Sequence, residues 1–214
     1  MLEAPPPAPW LATPGRKALA GLLVALVCAL LYALPSALTL QRAVLIDVPA
    51  WERAIPFLPL SVWPYVAQYP LLLWAYFGCR DARRCARFLL AVLVVQASAA
   101  LAYLLLPLRY PRELYPAAVA DTDALTRAAV HWVRAIDAPV NCCPSLHVSS
   151  CLLCLWLLGF EHRARALAVG VVALASIAST LTFKQHYAID IAAGALLAAF
   201  GWHLAWAIQD RLGR

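Results

Sequence analysis

Charge is scarce in this chain. Only 13% of its 214 residues are Asp, Glu, Lys or Arg, against about a quarter in an ordinary soluble domain. Hydrophobic residues make up 64% and the mean hydropathy is +0.75. Composition therefore excludes a soluble globular domain and points to one compact membrane domain with no room for a second, soluble one. Zinc-ligand spacings and carboxylate clusters are also missing, so no metal and no cofactor is expected. The seven cysteines (Cys28, Cys79, Cys85, Cys142, Cys143, Cys151, Cys154) lack the even spacing of a secreted disulfide framework. Cys151 and Cys154 form a C-x-x-C pair, but Leu and Trp surround it, and small buried packing residues are the simpler reading. The net charge of +6 is dispersed in short loops, which argues against a nucleic-acid partner.

What is there is a series of apolar runs, each near the ~20 residues needed to cross the hydrocarbon of a bilayer. After a proline-rich tail over residues 1–17, they cover Ala18–Leu40, Ile55–Phe77, Phe88–Leu106, Ser145–Phe160, Ala166–Phe183 and Ile189–Ile208. The first is too long for a signal-peptide core and reads as a retained anchor. The second carries Pro56, Pro59, Pro64 and Pro70 and should start irregularly. Between the third and fourth runs, residues 107–141 form the longest polar stretch. Its 122–136 part has apolar residues at helical spacing, as in an amphipathic helix lying on the membrane surface. The expected fold is all-α, a polytopic membrane protein whose six transmembrane helices occupy 18–208, with short tails at 1–17 and 209–214.

Six crossings place both termini on one side. Ten of the 17 Lys and Arg residues then fall on that side, which the positive-inside rule makes cytoplasmic. The 107–147 stretch and the turn before the last run face outward. The composition, rich in Ala, Arg and Leu, suggests a bacterial inner membrane, with the active side on the periplasmic face.

Ionisable groups beside hydrocarbon are costly and mark function. They gather at this outer layer. His147 follows Asn141-Cys-Cys-Pro-Ser145-Leu at the start of the fourth run. His186 lies four residues before Asp190, a spacing that puts both side chains on one helical face. Arg109, Arg112 and Lys184 are fixed cations of the same layer. Ser145 and the first N–H groups of the fourth helix add an anion site. The chemistry that fits is phosphoryl transfer through a covalent histidine: an imidazole attacks phosphorus while a carboxylate on its other nitrogen holds the tautomer. A second histidine protonates the leaving oxygen and then activates water or an alcohol.

Two stretches carry a family resemblance. Pro144-Ser145-Leu146-His147 and Ser179-Thr180-Leu-Thr-Phe-Lys184-Gln185-His186-Tyr-Ala-Ile-Asp190 resemble the second and third motifs, PSGH and SRxxxxxHxxxD, of the type 2 phosphatidic acid phosphatase (PAP2) superfamily. Leu146 before the first histidine and the Ser-Thr opening of the last motif are more similar to the inositol phosphorylceramide synthase-like branch. The resemblance implies His186 as nucleophile, Asp190 as its orienter and His147 as acid/base. Its usual first motif, KxxxxxxRP, is missing, and Arg109-Tyr-Pro-Arg112 is the nearest candidate, with Arg112 preferred. Thr180 stands where the family has an arginine, and Lys184 is the cation that would replace it.

The substrate class implied is a membrane lipid phosphate. A phosphatase would pass the phosphoryl group to water, and a transferase would pass it to a lipid alcohol acceptor. The hydrolase is preferred because nothing marks an acceptor pocket. A small lipid transporter is the remote alternative, but it would place polar groups at mid-depth in paired, broken helices. Ser179 and Thr180 are possible supports. Asn141 either hydrogen-bonds its loop or touches substrate. His131 and His203 read as packing or hydrogen-bonding residues, and His162 as a solvated one.

Overall fold

The computed structural model describes residues 10–115, 119–158 and 163–212. The proline-rich tail before Trp10, the centre of the basic turn with Glu161 and His162, and the last two residues lie outside them. Among the described residues the order is α1 (Pro14–Thr39), α2 (Ala50–Arg53), α3 (Val62–Val66), α4 (Gln68–Gly78), α5 (Ala82–Leu105), α6 (Ala124–Ile136), α7 (Leu146–Leu158), α8 (Arg163–Thr182) and α9 (Ala188–Leu212). A two-residue parallel pair, β1 (Val44–Leu45) on β2 (Leu108–Arg109), ties the loop after α1 to the loop after α5.

Local chemistry sets several of these starts. α1 opens on Pro14, whose missing N–H costs nothing at a first helical position. Asp81 caps α5, accepting from the Arg83 and Arg84 main-chain N–H groups at 2.8 and 3.2 Å. Asp123 caps α6 in the same way, from Leu125 and Thr126 at 3.0 and 2.9 Å. Each satisfies donors that a helix N-terminus leaves orphaned.

Among the described residues four helices are long and apolar enough to cross a membrane: Pro14–Thr39, Ala82–Leu105, Ala164–Thr182 and Ala188–Arg211. The other two expected crossings are shorter. The 55–77 run is broken into a turn at Pro59–Ser61, then α3 and α4, because its prolines remove helix donors one after another. α7 spans 13 residues among those described, or about 20 Å, and residues 159–160 lie outside the description. The helix expected over 122–136 is α6, which buries Thr126, Val130 and Val133 on one face.

Polar contacts at the two ends give the helices their directions. At one end Lys17 Nζ donates to the Phe77 and Cys79 carbonyls at 3.3 and 2.6 Å, and Arg87 Nε donates to Gln209 Oε1 at 3.0 Å. At the other, Tyr103 Oη donates to the Pro144 carbonyl at 2.7 Å and Asn141 Nδ2 to the Tyr32 carbonyl at 2.8 Å. Helices α1, α5 and α8 therefore run towards this second end, and α4, α7 and α9 run away from it.

The core lies between α4, α5, α7, α8 and α9 and includes Leu71, Phe88, Cys151, Cys154 and Leu157. Among the described residues none of the seven cysteines is joined in a disulfide, and Cys151 and Cys154 are fully buried packing residues. α1 buries only Pro35 and Thr39 and turns a row of leucines outward. Helices α7 and α9 approach closely at Gly194, where an added Cβ would lie 2.5 Å from the Ser145 main-chain oxygen. Ser149 Oγ bridges the same contact, donating to the Gly194 carbonyl at 2.7 Å. This close approach brings the start of α7 against the start of α9.

Candidate active site

The site begins where α8 stops. Gln185 N–H bonds back to the Thr180 carbonyl at 3.0 Å, and Lys184 N–H bonds to Leu181 at 3.3 Å. These are the six-to-one and five-to-two bonds of a Schellman stop. The residue just past the helix in such a stop is left-handed, and here Lys184 takes φ = 59°, a conformation usually given to glycine. The chain then turns into α9. Asp190 is the third residue of α9, and its Oδ2 accepts the Tyr187 N–H at 2.9 Å. That is one half of a capping box, with the carboxylate also favoured by the helix dipole. The aspartate thus builds the corner that presents His186.

His186 is 6% exposed. Its Nδ1 lies 2.8 Å from the Cys142 main-chain oxygen and 3.3 Å from Asp190 Oδ2. A carbonyl can only accept, so Nδ1 carries a proton, and Nε2 is the nitrogen that holds the lone pair in the neutral ring. His147, 7% exposed, sits in the first turn of α7. Its ring stacks on Tyr65 with centroids 4.0 Å apart and lies 5.9 Å from the His186 ring. Its Nε2 is buried and has no hydrogen-bond partner among the described residues.

Arg112 reaches this layer. Its guanidinium donates to the Asp137 carbonyl and to Gln185 Oε1, and it lies 3.8 Å from Asp137 Oδ2. Asp137 also accepts the hydroxyls of Tyr32 from α1 and Tyr65 from α3. Burial alone would raise the Asp137 pKa, but Arg112, His147 and the two hydroxyls outweigh it and hold the carboxyl below its ordinary value. One carboxylate therefore fixes both the arginine and the tyrosine under His147.

The other expected residues are placed differently. Arg109 pairs on the surface with Glu113 at 2.6 Å. Lys184 is fully buried and donates to the Glu52 main-chain oxygen at 3.2 Å, with its ammonium 4.4 Å from the centre of the Tyr115 ring. Ser145 is fully buried, and its N–H goes to the Asp190 carbonyl at 3.1 Å. That N–H is engaged in joining α7 to α9. Pro144 precedes the helix rather than opening it, after a cis peptide bond. Asn141 Nδ2 binds α1 through the Tyr32 carbonyl and Ser36 Oγ. Ser179 and Thr180 turn their hydroxyls back onto their own helix, at the Ser176 and Ile177 carbonyls. His131 and His203 are exposed and so are not packing residues.

Sequence reasoning passed over Asp137, Tyr65 and Gln185. One signal was present: Asp137 ends a helix, where the dipole disfavours a carboxylate. An acid in that position implies a partner elsewhere.

An apolar cavity of about 770 Å³ opens between α1, α4 and α5 and ends on Asp137, Asn141, His147 and His186. Arg112 and Lys184 do not line it.

Comparison with curated proteins and with solved structures found no match. The family model described as PAP2 superfamily matches residues 38–204, more than three quarters of the chain, from the end of α1 into the last turns of α9. That range includes both histidines, the aspartate that corners α9 and the arginine held by Asp137. This apolar, mostly helical integral membrane protein belongs to the PAP2 superfamily.

Proposed function

We propose that the chain is a lipid-phosphate phosphatase working through a phosphohistidine at the outer membrane face. The observation that carries this reading is the pairing of two buried histidines, with ring centroids 5.9 Å apart, in the lining of an apolar cavity. Nε2 of His186 attacks phosphorus, and the bond from phosphorus to the lipid oxygen breaks. His147, from Nε2, gives its proton to that oxygen. Water then attacks the phosphohistidine, His147 takes a proton from it, and phosphate leaves as His186 regains its neutral form. Asp190 and the Cys142 carbonyl stabilise the charge that His186 acquires, and Arg112, held by Asp137 and Gln185 behind the cavity lining, lends its positive charge to the phosphoryl oxygens. Lys184 and Ser145 support the fold of this layer, and Arg109 lies at its rim.

In this reading α3–α4 and α7 complete a six-crossing bundle, α6 lies on the outer surface, and both termini face the cytoplasm. A second reading, transfer to a lipid alcohol, is favoured by the Leu146 and Ser179-Thr180 forms of the two motifs. Purified protein given labelled phosphatidic acid, an undecaprenyl-type diphosphate and an inositol phospholipid, with and without ceramide, separates the two. Phosphate or phospho-headgroup release without acceptor is expected, and acceptor-dependent product would establish transfer. Full activity of His186→Ala on every substrate would sink both. For orientation, an impermeant thiol reagent should label Ala120→Cys and spare Arg80→Cys until the membrane is opened.

A further inference from the structure

The cavity is much longer than a headgroup requires. Along α1 it is lined mainly by the small residues Ala18, Gly21, Ala25, Cys28 and Ala29, with Leu22 and Val24 beside them, before it reaches Tyr32. Of these, Ala18, Gly21, Ala25 and Ala29 recur every three or four positions and so form one face of the helix. From Ala18 to Tyr32 that face extends about 21 Å at 1.5 Å per residue. Half of a ~30 Å hydrocarbon core is about 15 Å, so the groove passes the bilayer midplane. Its opposite walls include Leu72 of α4 and Leu89 of α5. At Gly21 the Tyr76 ring packs against α1, where an added Cβ would lie 2.8 Å from it, and both residues line the cavity.

A row of small residues would by itself mean only helix packing. Here it ends on polar atoms with nothing to bind. Among the described residues neither His147 Nε2 nor Asn141 Oδ1, both buried, has a hydrogen-bond partner, and both residues line the cavity. A ligand that satisfies them must carry a polar end at the histidines and an apolar body along α1. Burying that body removes it from contact with the rest of the bilayer and holds its phosphate at one depth.

Resting on the phosphatase reading above, we infer that this groove binds one extended hydrocarbon chain of the substrate lipid itself. The small residues of α1 act as its length gauge. A second chain stays in the bilayer, since the cavity is not fully enclosed. Chains that stop short of Ala25 leave its inner half unfilled and bind less tightly. Long acyl and prenyl chains share this chemistry, and α1 distinguishes them by how far each reaches.

Two measurements on the full-length protein in nanodiscs test this. The first needs no turnover. Phosphatidic acid with a photoreactive diazirine at the end of a long acyl chain should label α1 between Ala18 and Ala25. A diazirine near the carbonyl should label close to Tyr32. Label on the outward faces at Leu30 or Leu196 instead would overturn the groove. Polyprenyl phosphate bearing a terminal diazirine forms the parallel arm; the chain that labels Ala18 at the lower concentration is the natural occupant.

The second is the ratio of kcat/KM for long-chain over short-chain lipid phosphates. Ala25→Phe should lower that ratio about tenfold or more, while Leu30→Phe, off the groove, should leave it unchanged. Turnover with the same ratio in Ala25→Phe and wild type would reject the gauge. Correct labelling by a protein that hydrolyses no lipid phosphate would reject the phosphatase reading and support the groove.

Discussion

The Nδ1 of His186 is nearer the Cys142 carbonyl oxygen, at 2.8 Å, than Asp190 Oδ2, at 3.3 Å. The tautomer of the proposed nucleophile is therefore held by a main-chain group as well as by the carboxylate four residues on. Asp190→Asn keeps the Cys142 bond and removes only the charge. Its kcat should fall by about a hundredfold, less than the about ten-thousandfold loss where a carboxylate alone holds the tautomer. His186→Ala should lose at least about ten-thousandfold. Equal losses in the two variants, measured with labelled lipid phosphate, would show that Cys142 does not hold the ring.

Asp137 links Arg112 to the tyrosine beneath His147, and its carboxyl titrates below its ordinary value of 3.8. A carboxylate with a depressed folded pKa adds stability above its unfolded pKa. That stability drains away as pH falls from about 4 through the lower, folded value. The thermal midpoint of the wild type should drop over this acid range, and Asp137→Asn should start lower and show a flatter acid limb. An acid limb of unchanged slope in the variant would remove Asp137 from this role. The same substitution should raise KM for lipid phosphate by loosening Arg112.

The two arginines of the Arg109–Arg112 stretch should separate cleanly. Arg112 donates in two directions, to Asp137 and Gln185, which a lysine cannot reproduce. Arg112→Lys should cost about a hundredfold in kcat/KM. Arg109 makes one exposed pair with Glu113, worth a few tenths of a kcal/mol. Arg109→Ala should stay within about threefold of wild type, and a larger loss would give Arg109 the phosphate instead. Lys184→Met should lower the thermal midpoint more than it lowers turnover, because its ammonium is spent on Glu52 and Tyr115.

Gly194 decides how close the two histidines can come. An alanine Cβ would fall 2.5 Å from the Ser145 oxygen, so α7 and α9 must part. Gly194→Ala should destabilise by about 1–3 kcal/mol and reduce turnover. Gly170→Ala is the control, since its Cβ would meet only Leu155 Cδ1 at 3.9 Å. If both variants melt and turn over alike, the α7–α9 contact does not set the site.

Much of the molecule can be read from residue order alone. Apolar runs and loop charges mark the helices, because burial in hydrocarbon needs a length and a composition that periodicity reports directly. The four long helices fall where those runs predict them. His186 and Asp190 meet because their spacing is local. The contacts that distinguish the surrounding residues are not local. Arg112 finds Gln185 across 73 positions, His186 finds the Cys142 carbonyl across 44, and Asp137 finds Tyr32 across 105. A main-chain carbonyl has no side-chain signature, so Cys142 could not announce itself. Lys184 looked like a free cation until the left-handed end of α8 turned it towards Glu52. The order of residues determines which groups reach this end of the helix bundle. Only the packing of α7 on α9, and of the α6 corner on α1 and α3, decides which stay unpartnered there, because each polar group is spent on whatever partner the fold brings within hydrogen-bond reach.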